Sequence, residues 1–322
     1  MLVLSNMLPD PLHPERGSFV RDQVAAIRAL EQGEGSDASP AGQGTPRRDR
    51  VEVELYEFPP GPRALLAAAR RLRARRGERF DLVHAHFGLS AWPALAVGAP
   101  LRALTLHGTD LRHPRTRLLT RAALPTVQLL ATVSAELARE LPARARRRAQ
   151  VLPCGVDMER FRPLARQQAR AQLGLDPGRP CLLFAADPAR PEKRHDRALE
   201  LAARTGVELL VLGGIEPDRV PLMINAANAV LVPSEREGFG LAVLEALACE
   251  VPVLATPVGI HSEALAELPG TLCAPYEPTV WSAALAPLLA DPDPRVAGRE
   301  RAERWSAQRM AERVLAAWRA TR

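Results

Sequence analysis

The stretch SEREGFGLAVLEALA, residues 234–248, sets Glu237 and Glu245 on either side of a turn that holds Gly238 and Gly240. An apolar run ends at Pro233 and a helical pattern begins near Leu241, so the turn lies between a strand and a helix. Glycine lets backbone approach a ligand with no Cβ in the way, and the first N–H groups of a helix favour an anion such as phosphate. A carboxylate beside that anion is repelled unless its task is to accept hydrogen bonds from hydroxyls. Two of them across a glycine turn suit the sugar hydroxyls on either side of a diphosphate. Each glutamate taken singly also reads as a capping acid or a solvated helix residue.

Lys193, in DPARPEKRHD, is the only lysine among 43 basic residues. It follows the apolar run CLLFAA. Lysine offers a compact point charge on a flexible stem, where arginine presents a wide planar fork. A crowded phosphate site beside a sugar admits the first and excludes the second; the other reading is a lysine retained by chance. Arg190, close upstream, would add a second positive charge. TLHGTDL, residues 105–111, brings His107 and Asp110 to the end of another apolar run, as a catalytic pair or as a histidine bonded within a turn. VHAHFG, residues 83–88, offers His84 and His86, but metal ligation needs a third ligand and none is clustered with them. Structural or acceptor-side roles are expected there, and no metal site. Gly17, in PERGSFVRDQ, stands just before a helical pattern, bordering phosphate or acceptor or serving only as a turn.

All these residues come just after short apolar runs. In the first half such runs fall at 2–5, 51–58, 81–86, 102–107, 127–133 and 150–155, with helical patterns between them, for instance at 18–31, 63–77 and 135–141. The second half repeats the theme at 181–186, 207–213, 228–233, 251–256 and 270–274. This alternation predicts an α/β fold of two Rossmann-like, doubly wound parallel sheets facing a central cleft. Ligands bind such sheets outside the carboxyl ends of the strands, where the residues above are expected. The expected division is a first Rossmann-like domain over 1–158, a second over 159–305 and a helix over 306–322 packing back on the first domain. The Pro- and Gly-rich stretch near 155–165 marks the junction. Residues 32–49, rich in Gly, Ser and Pro without periodicity, are expected to form a flexible surface loop. The tail from about 293 to 320 predicts an amphipathic helix carrying Trp305, Met310, Val314, Leu315 and Trp318.

Hydrophobic residues make up 47% and charged residues 25%, a globular balance. The four cysteines form no C-x-x-C pair and read as small hydrophobes of a reducing compartment. No leader pattern opens the chain, and no apolar run approaches the roughly 20 residues that span a bilayer. A cytoplasmic protein is expected, with the inner face of the membrane as a further address. The net charge of +6 is uneven: residues 1–150 hold 23 arginines against 15 acids. RALLAAARRLRARRGERF (63–80) and RELPARARRRAQ (139–150) carry most of the excess. These are solvated helix faces or a surface for anionic lipid. Nucleic acid is not expected, because no aromatic residues interleave with the arginines to stack on bases.

Taken together, NMLPDPLHPERGSFVRDQV, DLVHAHFG, TLHGTD, VLPCGVDMERFRP, RPEK, VLGG and SEREGFGLAVLEALACEVPVLATPVGIHSE resemble the family 4 retaining nucleotide-sugar glycosyltransferases of the two-Rossmann GT-B fold. The segment Glu237 to Glu245 is that family's most specific signature. FAADPARPEKR and PERGSFVRDQV resemble members that assemble cell-surface polysaccharide or teichuronic-acid-type glycans. The resemblance implies a hexosyltransferase-type enzyme moving a sugar from a nucleoside diphosphate to a glycan or lipid-linked acceptor. Configuration would be retained, with no cofactor and no metal. It implies that Glu237 contacts the donor sugar, and that Glu245 holds the ribose hydroxyls. The backbone of Gly238, Phe239, Gly240 and Leu241 would touch sugar and diphosphate, Lys193 would neutralise the diphosphate, and His107 would lie at the reaction centre. Pro188 stands where the family usually has an arginine, so Arg190 is expected to substitute. A non-catalytic binding protein and a sugar-nucleotide epimerase keep the same fold and remain the alternatives.

Overall fold

The computed structural model describes residues 1–33 and 50–321, so from residue 34 on the loop expected over 32–49 lies outside the described residues. The chain forms two compact units. One comprises Met1–Pro9, Arg16–Gly155 and Ala307–Arg322; the other comprises Asp10–Glu15 and Val156–Ser306. Among the described residues no helix is long and apolar enough to cross a membrane.

The first unit is built on six strands: β1 (Leu2–Ser5), β2 (Glu54–Glu57), β3 (Leu82–His86), β4 (Leu101–Leu106), β5 (Leu129–Thr132) and β6 (Ala149–Val151). They lie in the order β2-β1-β3-β4-β5-β6, with every pairing parallel. β1, β2, β3 and β5 fall within apolar runs, and β4 and β6 each begin one residue before theirs. Leu2, Val3 and Leu4 of β1 and Leu82, Val83 and Ala85 of β3 are fully buried, as a sheet covered on both faces requires. The helix Ser18–Gly33 buries Val20, Val24 and Ile27, spaced one turn apart, and runs two residues past its predicted end.

The tail is not the single helix its periodicity predicts. Arg299–Glu303 belongs to the second unit and Ala307–Thr321 to the first. Between them the Trp305 carbonyl accepts from the Val156 amide at 2.8 Å, and Ser306 forms a parallel bridge with Val156. Backbone committed to that pairing cannot also close helical turns. The helix Ala307–Thr321 then joins the core of the first unit through Met310, Val314, Leu315 and Trp318, against Val20, Val24 and Ile27.

The second unit carries β7 (Cys181–Phe184), β8 (Glu208–Val211), β9 (Ala229–Val232), β10 (Val253–Ala255) and β11 (Leu272–Cys273). Its parallel sheet runs β11-β10-β9-β7-β8. Leu182, Phe184, Leu231 and Leu254 pack with Trp281 and Leu285 of the helix Pro278–Ala290 in one core. In each sheet the winding reverses once, between β1 and β3 in the first and between β7 and β9 in the second. The loops that leave those neighbouring strand ends diverge to opposite faces and leave a crevice, the usual ligand position in a sheet of this class.

Candidate active site

In the second unit the crevice lies between the loops after β7 and β9, and Lys193 and Glu237 meet there. The ammonium donates to both carboxylate oxygens at 2.7 Å, with side chains only 12% and 8% exposed. Adjacent strands make the meeting possible, and two further contacts hold the loops together. The Glu235 amide donates to the Glu192 carbonyl at 2.9 Å, and Arg194 bonds the Glu235 carboxylate at 2.5 Å. Lys193 ends a single tight turn, Pro191–Lys193, so its backbone is fixed as well as its charge. The choice of a lysine at this position has a geometric reason: its slim ammonium sits in a nearly closed space against a buried carboxylate.

Burial pushes the Glu237 carboxyl up, but Lys193 and the nearby His261 attract its charge. Hydrogen bonds from Lys193 and Ser234 join them, and the group settles below the usual carboxylate range. Ser234 Oγ donates to Glu237 Oε1 at 2.7 Å, while Thr256 Oγ1 donates to the Ser234 carbonyl at 2.5 Å. His261 Nδ1–H donates to the Thr256 carbonyl at 2.8 Å. The chain Glu237–Ser234–Thr256–His261 locks the carboxylate from behind. Sequence reasoning singled out only its first member. The available signal was that ATPVGIHSE also follows an apolar run, that of β10.

Gly240 opens the helix Leu241–Ala248 at φ 107°, with no side chain capping that helix. A Cβ on Gly240 would lie 2.5 Å from His261 Nε2. Glycine is therefore required twice, by conformation and by the imidazole packed against it. Gly238 precedes it on the half-buried part of the turn, and Phe239 is buried, its carbonyl accepting from the Ile260 amide at 2.9 Å. Glu245 lies half-buried one turn into the helix. Arg190 is engaged differently from the expectation. Its guanidinium bonds Glu192 at 3.0 and 2.8 Å in an exposed pair, because the two side chains are neighbours on the same turn.

In the first unit the corresponding edge gathers His86, His107 and Asp110. Asp110 does not pair with the His107 ring. Its carboxylate accepts from the backbone amides of Gly88 at 2.7 Å and His107 at 2.6 Å, tying the loops after β3 and β4 together from a buried position. Asp110 is a loop clamp, since four backbone N–H groups converge on it while burial holds its carboxyl above the ordinary range. The His107 ring instead meets His86, Nε2 to Nδ1 at 3.0 Å, and packs against Phe87 and Phe19. Burial, with His84 nearby, pushes the His107 imidazole down to about 3, so it is neutral near pH 7. His84 is structural. Its Nδ1 accepts from Trp318 Nε1 at 3.0 Å, which leaves the proton on Nε2 to donate to Thr105 Oγ1 at 2.8 Å. At the ends of β1 and β3, Asn6 Oδ1 and His86 Nε2 are buried with no hydrogen-bond partner among the described residues. Gly17 closes the loop after β1 at φ 72°, where a Cβ would strike the Met7 carbonyl at 2.4 Å. Among the described residues no group of three His, Cys, Asp or Glu is gathered as a metal would need.

Two family models match the chain: "Glycosyltransferase Family 4" over residues 27–160 and "Glycosyl transferases group 1" over residues 182–306. The D-inositol 3-phosphate glycosyltransferase of Segniliparus rotundus is 31% identical, over 85% of this chain and 72% of that protein. The enzyme of the same name from Nocardia farcinica is 32% identical, over 66% of this chain and 60% of its own length. Among solved structures, the sucrose-phosphate synthase from Thermosynechococcus elongatus superposes with a TM-score of 0.71 at 21% identity, covering 99% and 98% of the two chains. Anabaena Alr3699/HepE in complex with UDP and glucose gives a TM-score of 0.65 at 14% identity, with 99% of each chain covered.

Proposed function

Because the chain belongs to the family 4 glycosyltransferases of the GT-B fold, we propose that it moves a sugar from a nucleoside-diphosphate sugar to an acceptor hydroxyl, with retention and without a metal. The observation that carries the donor assignment is the Lys193–Glu237 pair at the sheet's winding reversal, beside a helix opened by Gly240.

Negative charge develops on the leaving diphosphate, and fixed cations and dipoles stabilise it. Lys193 directs two of its three N–H groups at Glu237 and keeps the third for a phosphate oxygen. The amides at the start of Leu241–Ala248 add their partial positive charge. These two sources supply what a metal would otherwise provide. A carboxylate can accept about four hydrogen bonds, so Glu237 can serve sugar hydroxyls while Lys193 and Ser234 hold it in place. Glu245 takes the ribose hydroxyls in this reading, and neutral His107 offers a hydrogen bond to the donor sugar. With Arg190 engaged by Glu192, the phosphate charge falls mainly to Lys193.

For the acceptor, two features converge. Residues 1–150 are rich in arginine, and the unpartnered Asn6 Oδ1 and His86 Nε2 lie on neighbouring strand ends. Both support an anionic, hydroxyl-rich acceptor on that edge, either a phosphorylated cyclitol or a lipid-linked glycan. The relatives named for D-inositol 3-phosphate make it the first acceptor to try.

The test is a thermal-shift screen with UDP-, GDP-, ADP- and TDP-sugars, followed by product analysis with and without D-inositol 3-phosphate. One nucleotide sugar should raise the melting temperature by mass action. Transfer should give a product of unchanged anomeric configuration, at a rate EDTA leaves intact. A strict metal requirement, an inverted product, or epimerised donor without acceptor would defeat the proposal.

A further inference from the structure

The first unit also carries an apolar groove of about 360 Å³. It is walled by Leu65, Leu66 and Ala69 of the helix Pro62–Ala74, Trp92 and Pro93 of the short helix Ala91–Ala94, and Leu119 of the helix Pro114–Ala123. Leu66 is 53% exposed and Leu119 46%, and neighbouring Leu118 is 72% exposed. Leu66 and Leu119, on two helices, thus leave the walls of one groove as an open apolar face, with Leu118 beside it in sequence.

The rim decides what covers it. Neither helix contains an acidic residue. Pro62–Ala74 carries four arginines and Pro114–Ala123 three, every one exposed and without an ion pair among the described residues. Other exposed arginines, such as Arg190, Arg204 and Arg319, are paired with carboxylates. Helical spacing puts Arg63 and Arg70 one turn either side of Leu66, and Arg115 and Arg121 one turn either side of Leu118. Leu66 and Leu118 thus each stand between guanidiniums that have no ion pair among the described residues. Apolar side chains that enter an acyl layer, framed by cations that meet phosphates, are the chemistry of an anionic bilayer surface. A protein partner would have to present an apolar ridge bordered by acids. Charge complementarity favours the lipid, whose acyl layer and phosphates supply both.

We propose that the groove between Pro62–Ala74 and Pro114–Ala123 is a docking surface for anionic phospholipid, with the leucines inserting and the arginines binding headgroup phosphates. It goes beyond the transfer reaction and requires neither donor nor acceptor to be bound. It would hold the enzyme at the membrane even if its acceptor proved soluble.

The experiment is co-sedimentation of the full chain with vesicles of phosphatidylglycerol and phosphatidylcholine, against vesicles of phosphatidylcholine alone. Wild-type protein should pellet with the anionic vesicles, stay in solution with the neutral ones, and be released by salt. Leu66→Gln and Leu118→Gln, both exposed and safe for folding, should each weaken binding about tenfold. Arg70→Gln and Arg115→Gln should each weaken it about fivefold. Equal binding to both vesicle types, no binding to either, or leucine variants that bind as wild type would overturn the proposal. So would a dimer, detected by light scattering, that Leu66→Gln dissociates while vesicles fail to bind. Donor binding by thermal shift, read on the same variants, should be unchanged, so failure of the docking surface and failure of the transferase reading are separately visible.

Discussion

At the residue scale the site rests on one buried ion pair. Removing one partner of such a pair leaves the other charged and unsolvated, which costs about 3–5 kcal/mol. Lys193→Met should therefore lower both stability, read from the urea midpoint, and kcat/KM, by about 100-fold or more if phosphate stabilisation is lost with it. Lys193→Arg should fold better than Lys193→Met yet still transfer poorly, because the planar fork does not fit the space of an ammonium. Gly240→Ala meets His261 Nε2 at 2.5 Å and an unfavourable φ together. It should destabilise by about 2 kcal/mol, and adding His261→Ala should recover the steric part but not the conformational part. Among these residues, Lys193, Glu237 and Gly240 were legible in the sequence because their types are unusual where they stand. His261 and the true task of Asp110 were not. A histidine's role depends on which carbonyl it reaches, and an aspartate's on which amides converge on it. Both partners come from other loops, and periodicity is silent about them.

At the element scale, every apolar run became a strand, because a parallel sheet covered on both faces needs nearly continuous apolar sequence. The tail escaped prediction because Trp305 and Ser306 fit a helical pattern and yet pair their backbone with Val156, a partner far away in sequence. The helix Ala307–Thr321 is fastened to β3 by the Trp318–His84 hydrogen bond. Trp318→Phe keeps the ring packing but orphans His84 Nδ1, and should cost about 1–3 kcal/mol in chemical denaturation. The three strand-end histidines also set a pH dependence. Burial holds His84 and His107 down to about 3, and His86 well below the ordinary range, while an unfolded histidine titrates near 6.5. The unfolded chain therefore binds more protons between those values. Stability should fall as pH drops below about 6.5, by up to about 1.4 kcal/mol per pH unit for each histidine. A melting-temperature series from pH 7.5 to 5 should show that slope, and His86→Gln should flatten part of it.

At the scale of the whole molecule, the second unit is, apart from Asp10–Glu15, one continuous segment whose first and last residues, Val156 and Ser306, pair with each other. The first unit is accordingly split, its core closed by a segment encoded after the second unit is complete. Ending the chain at Ser306 should leave Val20, Val24 and Ile27 uncovered. Amide exchange in β1 and β3 should then rise sharply, while the strands of the second unit stay protected. During synthesis the same arrangement reverses the customary order. The lobe that is translated second has all its parts first, and the earlier lobe must wait as an unfinished apolar surface until Ala307–Thr321 leaves the ribosome. A newborn chain of this enzyme is thus expected to be a chaperone client for the whole time its second lobe is being made, and codon changes that slow residues 156–306 should lengthen that exposure.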